Sequence, residues 1–540
     1  MSDLLSQLAA DQLVSRIWGR DTATFARSGG TPAVHDAIRN RLGWLDAPET
    51  AASQIGVLEA FAGDVRADGL THACLLGMGG SSLCAEVLRD VPAARSAGLA
   101  LTVLDTTDER AIREATEALE PARTLFLVAS KSGSTIEVSA LERHFWSEMT
   151  REAGDAAGRH FAAITDPGTP LAALAAEKHY RRLFLNAPDI GGRYSVLSLF
   201  GLVPAALLGL DLATLVESSR TMAAACREEG SGNPGLALGA FLAEHALAGR
   251  DKLTIVLPDA WRTLGAWIEQ LVAESTGKDG RGVLPVVDEP LGAIHEYRED
   301  RAFVAVLTPE AKEERAFAEL LERARRPVHR LTPTVTGLGA EFFRWEFATA
   351  VAGAAIGVNP FDEPNVREAK VRTQAQLDAR RATGRFQLDP PFDRRQGYLR
   401  RAHRPEADPA PAPASGPYLA ILDYLPSDPR RLDLVRRLRG ALRETDHTVS
   451  THGIGPRYLH STGQYHKGGP ATGRFVLLTA ADASATPVPG TDYTFNTLKQ
   501  AQALGDFDAL VAAGRDVVHY HIEDPGADVS ETLENLLRHL

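Results

Sequence analysis

The sequence predicts an α/β protein of doubly wound parallel sheets flanked by helices, on two observations: short apolar runs alternate with longer amphipathic segments, and that alternation returns three times. At 540 residues the chain exceeds one hydrophobic core, so three or so globular units are expected. The first pass covers 61–211, where ACLLGM, LTVLD, TLFLVAS and HFAAIT read as strands joined by helices. Residues 1–60 form a helical segment, with apolar spacings at Leu4, Leu8, Leu13 and Ile17, suited to bracing that unit. A second unit spans 212–370: a long helical stretch, then KLTIVLPD, AFVAVLT and PVHRLT as strands and GAEFFRWEFATAVAGAAIG as a buried helix. It is short of strands. Residues 371–416 begin charged and helical and become an extended Pro/Ala-rich linker. In 417–540, YLAILDYL, RFVLLTA and DVVHYHIED read as strands, DPRRLDLVRRLRGALRET and SETLENLLRHL as helices.

Charge and cysteine content narrow the function classes. Lys plus Arg number 58 against 70 Asp plus Glu, a net charge of −12, which argues against nonspecific nucleic-acid binding but allows a local basic pocket for an anionic metabolite. Cys74, Cys84 and Cys226 fit neither a disulfide framework nor a zinc site, so a reducing cytoplasmic compartment is expected. The opening residues lack the basic and apolar regions of a signal peptide, and no stretch reads as a membrane span.

Five motifs carry chemistry. LLGMGGSSLCAEVL runs a strand into Gly79, Gly80, Ser81 and Ser82 before a helix, a turn that lets backbone amides approach an anion, or simply turns tightly. LVASKSGSTIE repeats the layout with Ser130, Lys131, Ser132, Ser134 and Thr135; one helix cap explains one hydroxyl, and a phosphate site explains them all. In DIGGRYSVLSLFGLVPAALLG, Gly191 and Gly192 bring Arg193 to an apolar helix, where it can face a developing oxyanion or bridge carboxylates. Glu274 ends an amphipathic segment in IEQLVAESTGKDGRG, as a general base or a solvated helix-end glutamate. NPFDEPNVREAK ends on Lys370, which by itself reads as a solvated lysine.

Together, in this order, the five resemble the phosphoglucose isomerase family from Trp18 to about Lys370. The resemblance implies two sugar-isomerase (SIS) domains holding a hexose phosphate between them, with no cofactor and no metal. It maps Gly80 and Ser81 to the glycine-serine turn, and Ser130, Lys131, Ser132 and Thr135 to the phosphate loop, with Glu137 just behind. Gly192 and Arg193 map to the positions facing an enediolate, Glu274 to the catalytic base and Lys370 to the lysine near the ring oxygen. Glu363 stands where the family has a substrate-binding glutamine. The family's ring-opening histidine normally lies before this last motif, in a pattern like HSxGQYxxxG, and His295 is a poor match. YLHSTGQYHKGGP, far downstream, reproduces the pattern at His460, with His466 and Lys467 as pocket-rim groups. The displacement implies a second SIS domain that is split or permuted, with 417–540 supplying part of it, as in the isomerase half of transaldolase/phosphoglucose isomerase fusions. Family members are commonly dimers that exchange this histidine, so a homodimer and a self-contained site both stay open. Glucose 6-phosphate and fructose 6-phosphate are the expected substrates. Another anionic hexose, or a sugar-phosphate sensor without catalysis, competes with that reading.

Overall fold

The computed structural model describes the chain apart from residues 1–2, 27–29, 335, 394–398, 403–415, 482–484, 524–532 and 534–540. Three sheets occur among the described residues. The first comprises β1 (His72–Leu76), β2 (Ala100–Leu104), β3 (Thr124–Ala129), β4 (Phe161–Thr165) and β5 (Arg182–Leu185) in the order β2-β1-β3-β4-β5, all parallel. Every residue of β3 is buried, as a central strand covered on both faces requires. The order reverses between β1 and β3, so a crevice opens past their carboxyl ends, where open α/β sheets bind ligands. The glycine-serine turn follows β1 and the hydroxyl-rich loop follows β3.

The second sheet holds β6 (Lys252–Val256), β7 (Leu284–Val286), β8 (Arg301–Val306) and β9 (Val328–Leu331) in the order β7-β6-β8-β9, again parallel. The third holds β10 (Leu399–Ala402), β11 (Tyr418–Tyr424), β12 (Val449–Ile454), β13 (Gly473–Ala480) and β14 (Asp516–Ile522) in the order β10-β14-β13-β11-β12, with only β10 antiparallel.

The split-domain expectation differs from this structure in one respect. Among the described residues, those after 417 add no strand to the second sheet, because β11, the helix Pro429–Asp446 and β12 close a parallel unit of their own. They join the second unit by side chains instead: Val449 and Tyr465 share a core with Ala273, Leu284 and Val286. The expected linker is interrupted by β10, and the helix expected at the C-terminus falls almost wholly outside the described residues. The helix Leu338–Ile356, buried on nearly every side, joins the first two units in one core with Trp44, Trp267 and Trp345. The third unit packs on the first through the helix Phe495–Ala512, whose Phe495, Leu498 and Ala501 enter the core behind β1 and β3. No helix among the described residues is long and apolar enough to cross a membrane.

Candidate active site

Two glycine turns interlock at the floor of the crevice. A Cβ on Gly80 would lie 2.1 Å from the Gly192 carbonyl oxygen, and one on Gly79, whose φ is +57°, would lie 2.8 Å from the His460 Cβ. Both positions therefore need glycine for close approach, and the contact sets Arg193 and His460 on opposite sides of one turn. Ser81 is buried beside them.

Arg193 sits in the short turn Gly192–Tyr194 and is 5 % exposed. Its Nε donates to Ser275 Oγ at 2.9 Å, and its Nη2 to the carbonyls of Pro360 and Asp362 at 2.7 and 2.9 Å. These bonds aim Nη1 at two carboxylates, Glu274 Oε1 at 3.0 Å and Glu363 Oε2 at 3.2 Å. Glu274 lies in the last turn of the helix Arg262–Thr276 and is buried, which removes the solvated helix-end reading. Burial raises its carboxyl above the ordinary value; Arg193 opposes the shift and Glu363 adds to it. One turn earlier on the same face, Gln270 Nε2 donates to Glu274 Oε2 at 3.2 Å and to the His460 carbonyl at 2.7 Å.

His460 closes the turn Arg457–His460, and its Nε2 lies 3.0 Å from Glu137 Oε1 in the first turn of the helix Ile136–Ala153. Burial alone would raise Glu137; the charge and hydrogen bond of His460 outweigh it and hold the carboxyl below its ordinary value. A carboxylate only accepts, so Nε2 carries the proton and Nδ1 is the nitrogen left for exchange. Lys370, exposed on the helix Pro364–Thr383, lines a cavity of about 200 Å³ together with His460, Glu137, Ser134 and Gln502.

In the hydroxyl-rich loop, Ser130 and Thr135 hydroxyls bond each other at 3.0 Å, as do those of Ser132 and Ser134 at 3.1 Å. Lys131 donates to Asp166 and to the Pro188 carbonyl. Burial lowers the Lys131 ammonium and raises Asp166.

Of the residues singled out from the sequence, Arg193 meets Glu274 and Glu363 directly, Gly80 packs on Gly192, and His460 is tied to Glu274 through Gln270 and shares a cavity with Lys370, whereas His466 and Lys467 are core rather than rim. His466 is within 3.0 Å of the Tyr418 hydroxyl, and Lys467 is bonded to Asp506 at 2.6 Å with both side chains 1 % exposed. Sequence reasoning missed Gln270, Lys278 and Gln502. Gln270 was discoverable, since its spacing of four from Glu274 puts both on one helix face. Lys278 is held by Asp362 at 2.8 Å, and burial, with Arg193 next, lowers it to about 8. Gln502 carries no local signal.

A protein-family model described as phosphoglucose isomerase matches residues 60–294, which include the first four motifs but not Glu363, Lys370 or His460. Among curated relatives, a glucose-6-phosphate isomerase of Rubrobacter xylanophilus is 30 % identical over 395 residues, 64 % of this chain and 91 % of the relative. Another, from Symbiobacterium thermophilum, is 29 % identical over 400 residues, 63 % of this chain and 88 % of the relative. Of solved structures, the hypothetical protein TT0462 from Thermus thermophilus aligns with a TM-score of 0.59 at 25 % identity, over 69 % of this chain and 96 % of that one. A glucose-6-phosphate isomerase from Chlamydia trachomatis shares the fold, with a TM-score of 0.57 at 17 % identity over 71 % of this chain and 87 % of its own. With nine-tenths of a 30 % identical relative spanned, the chain belongs to the phosphoglucose isomerase family and is an isomerase.

Proposed function

We propose that the chain interconverts glucose 6-phosphate and fructose 6-phosphate through a cis-enediolate. The observation that carries this reading is the buried Glu274 carboxylate meeting Arg193 Nη1 at 3.0 Å, beside a histidine paired to a second carboxylate. Ring opening needs a proton delivered to the ring oxygen and one removed from the anomeric hydroxyl. His460 and Lys370 face one cavity and take these two transfers. Glu274 then removes the C2 proton of the open aldose. The C–H electron pair becomes the C1–C2 double bond, and the carbonyl pair moves to O1 as the oxyanion that Arg193 stabilises. The C2 hydroxyl proton passes to O1, which leaves the charge on O2; the O2 pair then forms the C2 carbonyl while the double-bond pair takes the proton from Glu274 at C1, and the ketose results. Ser81, Ser130, Lys131, Ser132 and Thr135 hold the phosphate, with Gly80 and Gly192 giving backbone access.

A coupled assay of fructose 6-phosphate conversion to glucose 6-phosphate tests the proposal; turnover is expected, and its absence at high enzyme concentration sinks it. Glu363 favours a second reading, since a carboxylate on Arg193 alters what the pocket accepts. Faster turnover of mannose 6-phosphate or of a sulfonated hexose in a substrate panel would select that reading.

A further inference from the structure

Gln502 lies on the helix Phe495–Ala512 of the third unit, is 1 % exposed, and touches the first unit with both ends of its amide. Its Oε1 accepts from Thr107 Oγ1 at 2.8 Å, and its Nε2 donates to Glu137 Oε1 at 2.7 Å. The Glu137 carboxylate only accepts, so it fixes the amide with Nε2 toward itself, and the fully buried Thr107 hydroxyl then anchors Oε1 by donating to it. The carboxylate oxygen that takes the Gln502 proton is the one that accepts His460 Nε2 at 3.0 Å.

We propose that Gln502 is a positioning residue for ring opening, acting through Glu137 on His460. The inference rests on the reading of His460 as the ring-opening group. A glutamate's last torsion is broad and roughly two-fold, so a carboxylate held by the imidazole alone turns with it. His460 itself ends a turn of four residues, which gives it little support from its own backbone element. The second donor, anchored through Thr107, removes that freedom and presents Nδ1 to the sugar in one orientation.

The test compares a closed and an open substrate in Gln502→Leu. Fructose 6-phosphate must be opened; 5-deoxyfructose 6-phosphate lacks the ring-closing hydroxyl and reports only C1 proton exchange, read by NMR in deuterium oxide. Loss of a hydrogen bond to a charged group predicts a fall in kcat on fructose 6-phosphate of about tenfold or more. KM should stay near the wild-type value, and exchange on the open analogue should be unchanged. Thr107→Val removes only the hydroxyl that anchors the amide oxygen and should show the same split at smaller size, which keeps the test decisive if the leucine variant folds poorly. Equal losses on both substrates, a change in KM alone, or no loss in either variant overturns the role of Gln502. A wild-type protein inactive on fructose 6-phosphate overturns the isomerase reading instead.

Discussion

At the scale of residues, a single guanidinium nitrogen faces two carboxylates, and the balance between them sets what Glu274 can do. Arg193 Nη1 is 3.0 Å from the buried Glu274 and 3.2 Å from Glu363, whose side chain is 42 % exposed. On the proposed mechanism proton abstraction needs Glu274 ionised, and the Glu363 charge works against that ionisation. Glu363→Gln removes a negative neighbour, so the acid limb of the kcat/KM profile should move to lower pH. A limb that stays in place or moves upward would show that Glu363 does not act on the base. Glu274→Gln keeps the shape and loses the proton acceptor. Turnover should fall by at least about 10²-fold, while binding of a non-reacting sugar-phosphate analogue, followed by calorimetry, changes little. Much of this was readable beforehand, because Arg193 and Glu274 stand in motifs whose residue types match the chemistry. The sharing of Arg193 with Glu363 was not, since the two stand 170 positions apart and only the folded chain brings them together.

Among the elements, the helix Leu338–Ile356 shows what an apolar run conceals. Its sequence reads as a buried helix, and it is one, yet Glu346 at its centre is 0 % exposed with neither carboxyl oxygen hydrogen-bonded among the described residues. Burial raises this carboxyl well above its ordinary value and so favours its neutral form in the folded protein. The sign follows from linkage. A carboxyl raised on folding costs nothing below its unfolded pKa, and stability falls by about 1.4 kcal/mol for each pH unit from there up to the folded pKa. Glu346→Gln should therefore raise the melting temperature relative to wild type more at pH 8 than at pH 5. An equal difference at both pH values would contradict a neutral Glu346.

Strands β10 and β12 escaped the sequence for a related reason. Arg400 of β10 is 1 % exposed because its guanidinium lies over the Phe507 ring at 3.9 Å, a burial that no local pattern of charged residues announces. In β12, VSTHGI carries polar residues on a strand whose Ser450 and Thr451 are buried, so its hydrophobic alternation is weak.

For the molecule as a whole, the site depends on docking the third unit against the first. Arg457, three residues before His460, bonds Asp105 at 2.7 Å and Glu86 at 2.5 Å, and Lys499 bonds Asp108 at 2.9 Å. Gln464 fastens the same segment to the second unit through the Gly277 carbonyl at 3.0 Å and the backbone and side chain of Asn365 at 2.9 and 2.8 Å. Replacing one partner of a largely buried pair costs about 3 kcal/mol, and Arg457→Gln concentrates that loss on the docking surface. Activity of this variant should disappear at a lower denaturant concentration than wild-type activity, while the far-UV circular dichroism transition of the first unit's helices moves less. Coincident shifts of the two transitions would mean that docking and folding are one event. The HSTGQY pattern was legible by itself, as was its distance from the other motifs. Which elements it meets was not, because parallel α/β units with similar strand patterns leave their packing order to side chains scattered over the whole chain.

The bond between His460 and Glu137 joins residues 323 positions apart. During synthesis the phosphate loop, Arg193 and Glu274 are all made before the histidine exists, and the amino-terminal units fold first. On the roles proposed for these residues, a nascent chain can grip a sugar phosphate long before it can turn one over, and the arrival of the last unit is what switches it on.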